Sequence, residues 1–195
     1  MAGVAKSLPG LSSIAGAVLR SRGGEEVRAA TLWAKQPVLF FVLRRPGCVL
    51  CRDTAKKVYG ARGAFEAAGV RLACVAHEWL PAEIAAFNTD DYWPGEVYLD
   101  ADKAFYKAFS EDGKSVRRQS ALTLLNPLNS AWGRIMAARK NVADHNTTGD
   151  GTVLGGLLLV RAGEGGVAYA HAEKTFGEFP EIEQVLADVK AALGQ

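Results

Sequence analysis

Apolar and polar positions fall in blocks along this chain, and the period changes from block to block. Pro37 to Leu43 is an uninterrupted apolar run rich in β-formers. It predicts a central strand covered on both faces. The run meets the breaker cluster Arg44-Arg45-Pro46-Gly47 and then Cys48-Val49-Leu50-Cys51. Beyond Cys51, Ala55, Val58, Ala61, Phe65 and Ala68 keep a helical spacing that stops at Gly69. Val70 to Ala76 predicts the next strand, and Pro81 opens a short helix to Phe87, because proline suits the first helical turn. Glu96 to Leu99 reads as a strand, and Asp102 as the cap of a helix through Phe109.

Residues 110 to 150 are polar and irregular, with one helix expected from Trp132 to Lys140. Leu154 to Val160 and Val167 to Ala172 flank Ala162-Gly-Glu-Gly-Gly166, a hairpin signal. Ile182, Val185, Leu186, Val189 and Leu193 form one apolar helical face that closes the chain. Alternating strands and helices followed by a late hairpin predict an α/β fold: a mixed sheet with helices on both faces. No internal repeat or dividing linker is visible. The expected organisation is an N-terminal extension over residues 1–24 and one domain over 25–195.

Composition narrows the function classes. Hydrophobic residues at 49% and charged residues at 23% of 195 are globular values. A net charge of +2 points to neither a nucleic-acid binder nor a trap for acidic ligands. No apolar run approaches the ~20 residues of a membrane span. Three cysteines cannot build a disulfide framework, which favours a reducing compartment and a cytoplasmic location. The first 24 residues carry Lys6, Arg20 and Arg22, scattered serines and no acid. That composition keeps open an organellar transit segment beside a plain N-terminal helix or tail.

The candidate chemistry sits where the central strand delivers Cys48 and Cys51 to a helix start. Free amides and the positive end of the helix dipole favour a thiolate there. Arg44, Arg45 and Arg52 add positive charge, and the thiolate is the reactive form of cysteine. Cysteines three apart on a helical turn can also close a small disulfide, so one thiol attacks and the other resolves. Two alternatives share this spacing: a pair of inert buried cysteines, and half of a metal site. Structural zinc takes about four ligands, and only Cys74 and three scattered histidines remain, so no metal is expected. Cys74 lies inside a strand and reads as core filler.

The string Arg44-Arg45-Pro46-Gly47-Cys48-Val49-Leu50-Cys51-Arg52, with Leu32-Trp33 before it, resembles the peroxiredoxin-like family of the AhpC/TSA type that includes prostamide/prostaglandin F synthase. The likeness continues at Gly95 to Asp100, Phe105-Tyr106, Gly149 to Gly151, Leu154 to Gly156, His171, Glu173-Lys174 and Phe176-Gly177. It implies a thioredoxin-like fold and a thiol oxidoreductase that reduces hydroperoxides or prostaglandin-type endoperoxides. It also implies no bound cofactor, with electrons from NADPH through thioredoxin or a similar dithiol. Thioredoxins use the first cysteine of the pair as nucleophile, which maps to Cys48. Peroxiredoxins place a threonine three residues before the attacking cysteine, which maps the attack to Cys51. Cys48 is the expected attacker, as the thiol nearer the free amides. The resemblance departs from the pattern at Thr152 to Gly156, which holds neither a cis-proline nor the peroxide-binding arginine; Arg44 or Arg45 can substitute.

His77 and Glu78 follow a strand at the sheet edge expected to carry the pair, and are candidate proton donors to a leaving alkoxide. Arg117, Arg118, Arg134, Arg139 and Lys140 make the 110–140 segment basic, either a solvated face or a surface for a larger assembly. That segment keeps a second function class open, a thioredoxin-fold interaction module with little or no catalysis. Trp132 within it is expected to pack against the domain or a partner.

Overall fold

The computed structural model describes residues 10, 12–126 and 128–195. Its backbone is one seven-stranded sheet ordered β2-β1-β5-β4-β3-β6-β7. The strands are β1 (Val18–Ser21), β2 (Glu26–Arg28), β3 (Val38–Leu43), β4 (Arg71–Ala76), β5 (Val97–Leu99), β6 (Gly156–Val160) and β7 (Val167–Ala172). β3, β4 and β5 run parallel, and the neighbours on either side pair antiparallel. The expected mixed α/β sheet is present. β3 is buried at every position, as its unbroken apolar run requires.

Side-chain alternation along the two central strands builds a core on each face. Leu39, Phe41 and Leu43 of β3 join Leu157 and Leu159 of β6 on one face, while Val38, Phe40 and Val42 join Leu158 and Val160 on the other. Burying each large apolar side chain contributes roughly 1.5–3 kcal/mol. The first face carries α3 (Val49–Gly60), α4 (Arg62–Ala67), α5 (Pro81–Phe87), α7 (Ala131–Ala138) and α8 (Ile182–Ala192). The second carries α1 (Ser12–Ala15), α2 (Ala29–Leu32) and α6 (Ala104–Lys107).

Local chemistry sets the element ends. α4 stops where Val70 N donates to Phe65 O and Gly69 N to Glu66 O, both at 2.9 Å, with Gly69 at φ +72°. This double bond closes a helix through a left-handed residue that glycine adopts freely. α6 is capped by Asp100, not by Asp102: its carboxylate accepts from Ala104 N at 3.0 Å and Phe105 N at 2.8 Å. A turn closed by Lys103 N on Asp100 O folds that side chain back beneath the helix start.

The stretch read as an extension is built into the domain wherever it is described. Ile14 of α1 is fully buried, and β1 pairs with both β2 and β5. The boundary drawn at residue 24 therefore falls in the β1–β2 turn. Lys6 and the residues around it lie outside the described residues. A short hairpin of three- and four-residue strands, half exposed, offers no apolar run to detect.

Candidate functional site

The site forms at the carboxyl ends of the parallel strands, the usual crevice of an open α/β sheet. Beneath it, the buried Tyr106 hydroxyl donates to Leu43 O at 2.6 Å and lies 3.1 Å from Val75 O, tying the ends of β3 and β4 together. The chain leaves β3 at Leu43, turns through Arg44 to Gly47, and enters α3 with Cys48 as the residue before its first turn. Cys48 thus sits where α3 offers unpaired amides and the positive end of its dipole.

Arg44 is the residue that engages the pair. It is only 6% exposed, and its Nη2 donates to Cys48 Sγ at 2.9 Å. Its Nη1 donates to Gly151 O at 3.2 Å, and the guanidinium lies 4.7 Å from the centre of the Phe176 ring. Behind it the buried Glu173 carboxylate stands 3.7 Å from Nε. Glu173 is fixed in turn by Gly155 N at 3.1 Å and Gly177 N at 2.5 Å. Burial opposes the Arg44 charge, but the Cys51 and Cys48 sulfurs and Glu173 more than offset it and push its pKa up.

The two thiols are driven apart. A hydrogen bond from the Cys51 thiol holds the Cys48 pKa well below the usual thiol range; burial opposes it, and the Arg44 charge, the Cys51 amide and Arg45 reinforce it. Burial pushes Cys51 well above that range, and its bond to Cys48 adds to this. Both shifts favour ionising Cys48 before Cys51. Both are free, as is Cys74, which is buried in the core as expected.

Cys48 lines a cavity of about 530 Å³ that Cys51 does not reach. Val49, Leu50, Leu124, Trp132, Ile135 and Phe176 give it apolar walls, while Arg44 and Arg45 supply positive charge.

The other expected site residues are placed differently. Arg45 lines the cavity, but its guanidinium donates to Thr147 O at 2.7 Å and Asn146 O at 3.2 Å. Arg52 does not point at the thiols. It is 1% exposed and donates to Pro46 O at 2.8 Å and to Asp144 O at 2.7 Å, with Asp144 Oδ2 at 2.5 Å, while stacking on Tyr92. It straps the 144–151 loop over the start of α3. His77 is turned inward: its Nε2 lies 3.0 Å from Arg44 O, and burial lowers its pKa, so the neutral ring donates to that carbonyl. Glu78 accepts from Asp150 N at 2.7 Å. Neither lines the cavity, so neither is placed to protonate a leaving group. Both brace the loops around it instead.

Glu173 was not singled out by sequence, and the only signal available was its place in the resemblance. Arg44 and Glu173 are far apart in the chain and meet only through the β3–β6–β7 pairing. The missing proline is matched by the absence of cis peptide bonds among the described residues.

Comparison with known proteins agrees with this architecture. Residues 61–175 match the family model described as AhpC/TSA antioxidant enzyme. Peroxiredoxin-like 2A of Danio rerio is 31% identical over 188 residues, covering 95% of this chain and 84% of the relative. The Homo sapiens protein of the same name is 30% identical over 163 residues, covering 84% of this chain and 67% of the relative. Among solved structures, Xanthomonas campestris peroxiredoxin Q superposes with a TM-score of 0.58 at 15% identity, over 97% of this chain and 98% of that one. A Xylella fastidiosa PrxQ mutant gives 0.63 at 12% identity, over 98% and 99%. At such identity the structural matches concern the fold, which is that of thioredoxin-like peroxiredoxins.

Proposed function

We propose that this chain, which belongs to the AhpC/TSA antioxidant-enzyme family, reduces organic hydroperoxides with Cys48 as the attacking thiolate and Cys51 as the resolving thiol. Family membership makes it a peroxiredoxin-like oxidoreductase; the division of labour between the cysteines is the new element. The observation that carries it is the 2.9 Å bond from Arg44 to Cys48 Sγ at the mouth of α3, on the one cysteine of the pair that lines the cavity.

The Cys48 thiolate attacks the terminal peroxide oxygen, the O–O bond breaks, and the departing alkoxide takes a proton from water to leave as an alcohol. Cys48 is then a sulfenic acid. The Cys51 thiol condenses with it, releasing water and closing the disulfide. An external dithiol of the thioredoxin type, fed by NADPH, reopens the bond by exchange. Arg44 stabilises negative charge before and during the attack, and because it and Cys48 are both nearly buried the interaction is poorly screened. The cavity volume lies in the range of small-molecule sites, with room for an organic peroxide and, in the same class, an endoperoxide.

The test is turnover of cumene hydroperoxide coupled to thioredoxin, thioredoxin reductase and NADPH. Cys48→Ser is expected to abolish turnover. Cys51→Ser is expected to leave one dimedone-reactive sulfenic acid per chain after a single peroxide addition. No sulfenic acid in Cys51→Ser, with trapping at Cys51 in Cys48→Ser, would reverse the roles. No turnover on any O–O substrate would favour the interaction module.

A further inference from the structure

One surface beside the site contradicts the usual pattern of a water-facing helix. Among the described residues, six large apolar side chains are exposed, and five of them lie between residues 122 and 136: Leu122, Leu125, Leu128, Trp132 and Met136. Leu122 and Leu125 sit on the 3-10 helix Ala121–Leu125, and Leu128 follows it at 90% exposure. α7 is apolar on both faces: it buries Ala131 and Ala138, packs Ile135 against the core, and turns Trp132 and Met136, one helical turn apart, outward. Scattered surface leucines need no explanation, but five exposed apolar side chains within fifteen residues, on two elements joined by Trp132 Nε1 donating to Leu124 O at 3.0 Å, do.

The segment that carries the patch has charge of one sign. From Gly113 to Ala143 there is no acidic residue, while Lys114, Arg117, Arg118, Arg134, Arg139 and Lys140 are basic. Arg117 and Arg134 donate to main-chain carbonyls, and Arg118 pairs with Asp150. Arg139 and Lys140, at the end of α7, are exposed. Outward leucines and a half-exposed tryptophan with basic groups beside them have the composition of a surface that lies in a lipid–water interface.

We propose that this face docks on the surface of an anionic lipid bilayer. The leucines and Met136 enter the acyl boundary, Trp132 lies at headgroup level, and Arg139 and Lys140 meet lipid phosphates and carboxylates. The Cys48 cavity opens at the same place, since Leu124, Trp132 and Ile135 wall it. In the docked pose the mouth of the site faces lipid, so peroxides carried on lipid chains come within reach. That last step alone rests on the hydroperoxide-reductase reading; docking itself does not.

Flotation of the full chain with phosphatidylcholine vesicles, and with vesicles that also contain phosphatidylserine, tests the docking. Binding to the anionic vesicles that weakens with salt is expected, with a blue-shifted, bromolipid-quenched emission from Trp132, the other tryptophans being more buried. Leu125→Glu/Leu128→Glu alters neither core nor cavity and is expected to weaken binding about tenfold or more, while hydrogen peroxide turnover stays at the wild-type rate. Circular dichroism confirms that this variant is folded. No binding to either vesicle, or binding that the double variant leaves intact, overturns the proposal. So does a dimer or a protein complex that the same substitutions dissolve. Vesicle binding without turnover on any peroxide would leave the docking standing and remove the catalytic reading.

Discussion

Replacing Arg44 by glutamine isolates the interaction on which the thiolate depends. The side chain is nearly buried and places Nη2 2.9 Å from Cys48 Sγ, so the bond is charge-assisted and poorly screened. Hydrogen bonds to charged groups contribute about 1.5–3 kcal/mol. At 1.36 kcal/mol per decade, losing one lowers the thiolate population roughly ten- to a hundredfold at pH below the wild-type midpoint, a difference that closes as pH rises to the variant's own midpoint. The assay is the rate of iodoacetamide alkylation at Cys48, followed by peptide mass spectrometry from pH 5 to 10. The midpoint is expected to rise, and alkaline pH is expected to restore the rate. A second effect runs alongside, because Glu173 would be left without its cation in the interior, and breaking a buried pair costs about 3–5 kcal/mol of stability. The double variant Arg44→Gln/Glu173→Gln separates the two: stability recovers in part while the alkylation midpoint stays high. A folded Arg44→Gln protein with the wild-type alkylation profile would mean that Arg44 does not hold the Cys48 thiolate.

Arg52→Met is expected to lower stability by about 1–3 kcal/mol, since the Pro46 carbonyl loses its donor, and to leave the Cys48 alkylation profile unshifted; a shifted profile would return Arg52 to the thiolate. Gly155→Ala is expected to prevent stable folding, because an added Cβ would overlap the Val42 carbonyl oxygen in the pairing of β3 with the chain before β6, and soluble expression or a wild-type urea midpoint would contradict this. Burial lowers the His77 pKa below 6.5, so the unfolded chain binds its proton more readily. Its contribution to stability is complete above about pH 6.5 and is lost as pH falls through the lower native value. The urea midpoint should therefore drop between pH 7 and 5.5, and drop less in His77→Asn; an equal drop in both would assign the loss to other groups.

Much of the fold was legible because its central elements carry long, one-period signals. The run ending at Leu43, the hairpin around Gly163 to Gly166 and the apolar face of α8 each declare themselves within a dozen residues. The cysteines at the mouth of α3 were legible for the same reason, as strand, breaker and helix are contiguous there. What stayed hidden depends on partners distant in sequence. Arg52 reads as a neighbour of the thiols, yet it turns to Asp144, 92 residues away. His77 reads as an exposed strand-end group, yet it donates its proton to Arg44 O, 33 residues back. Glu173 looks like any polar residue after a strand until β7 carries it beneath Arg44. Local composition reports burial and period; it does not report which loop folds over which helix.

The buried salt link behind Cys48 also bears on the proposed cycle. Every contact that favours the sulfur anion is free energy held by the dithiol and surrendered when the S–S bond closes, since a disulfide has no charge for Arg44 to meet. The couple is therefore tilted toward accepting electrons. A disulfide formed at this helix start would thus be the easier to reduce, and the guanidinium that arms the attack would also favour the reset at equilibrium.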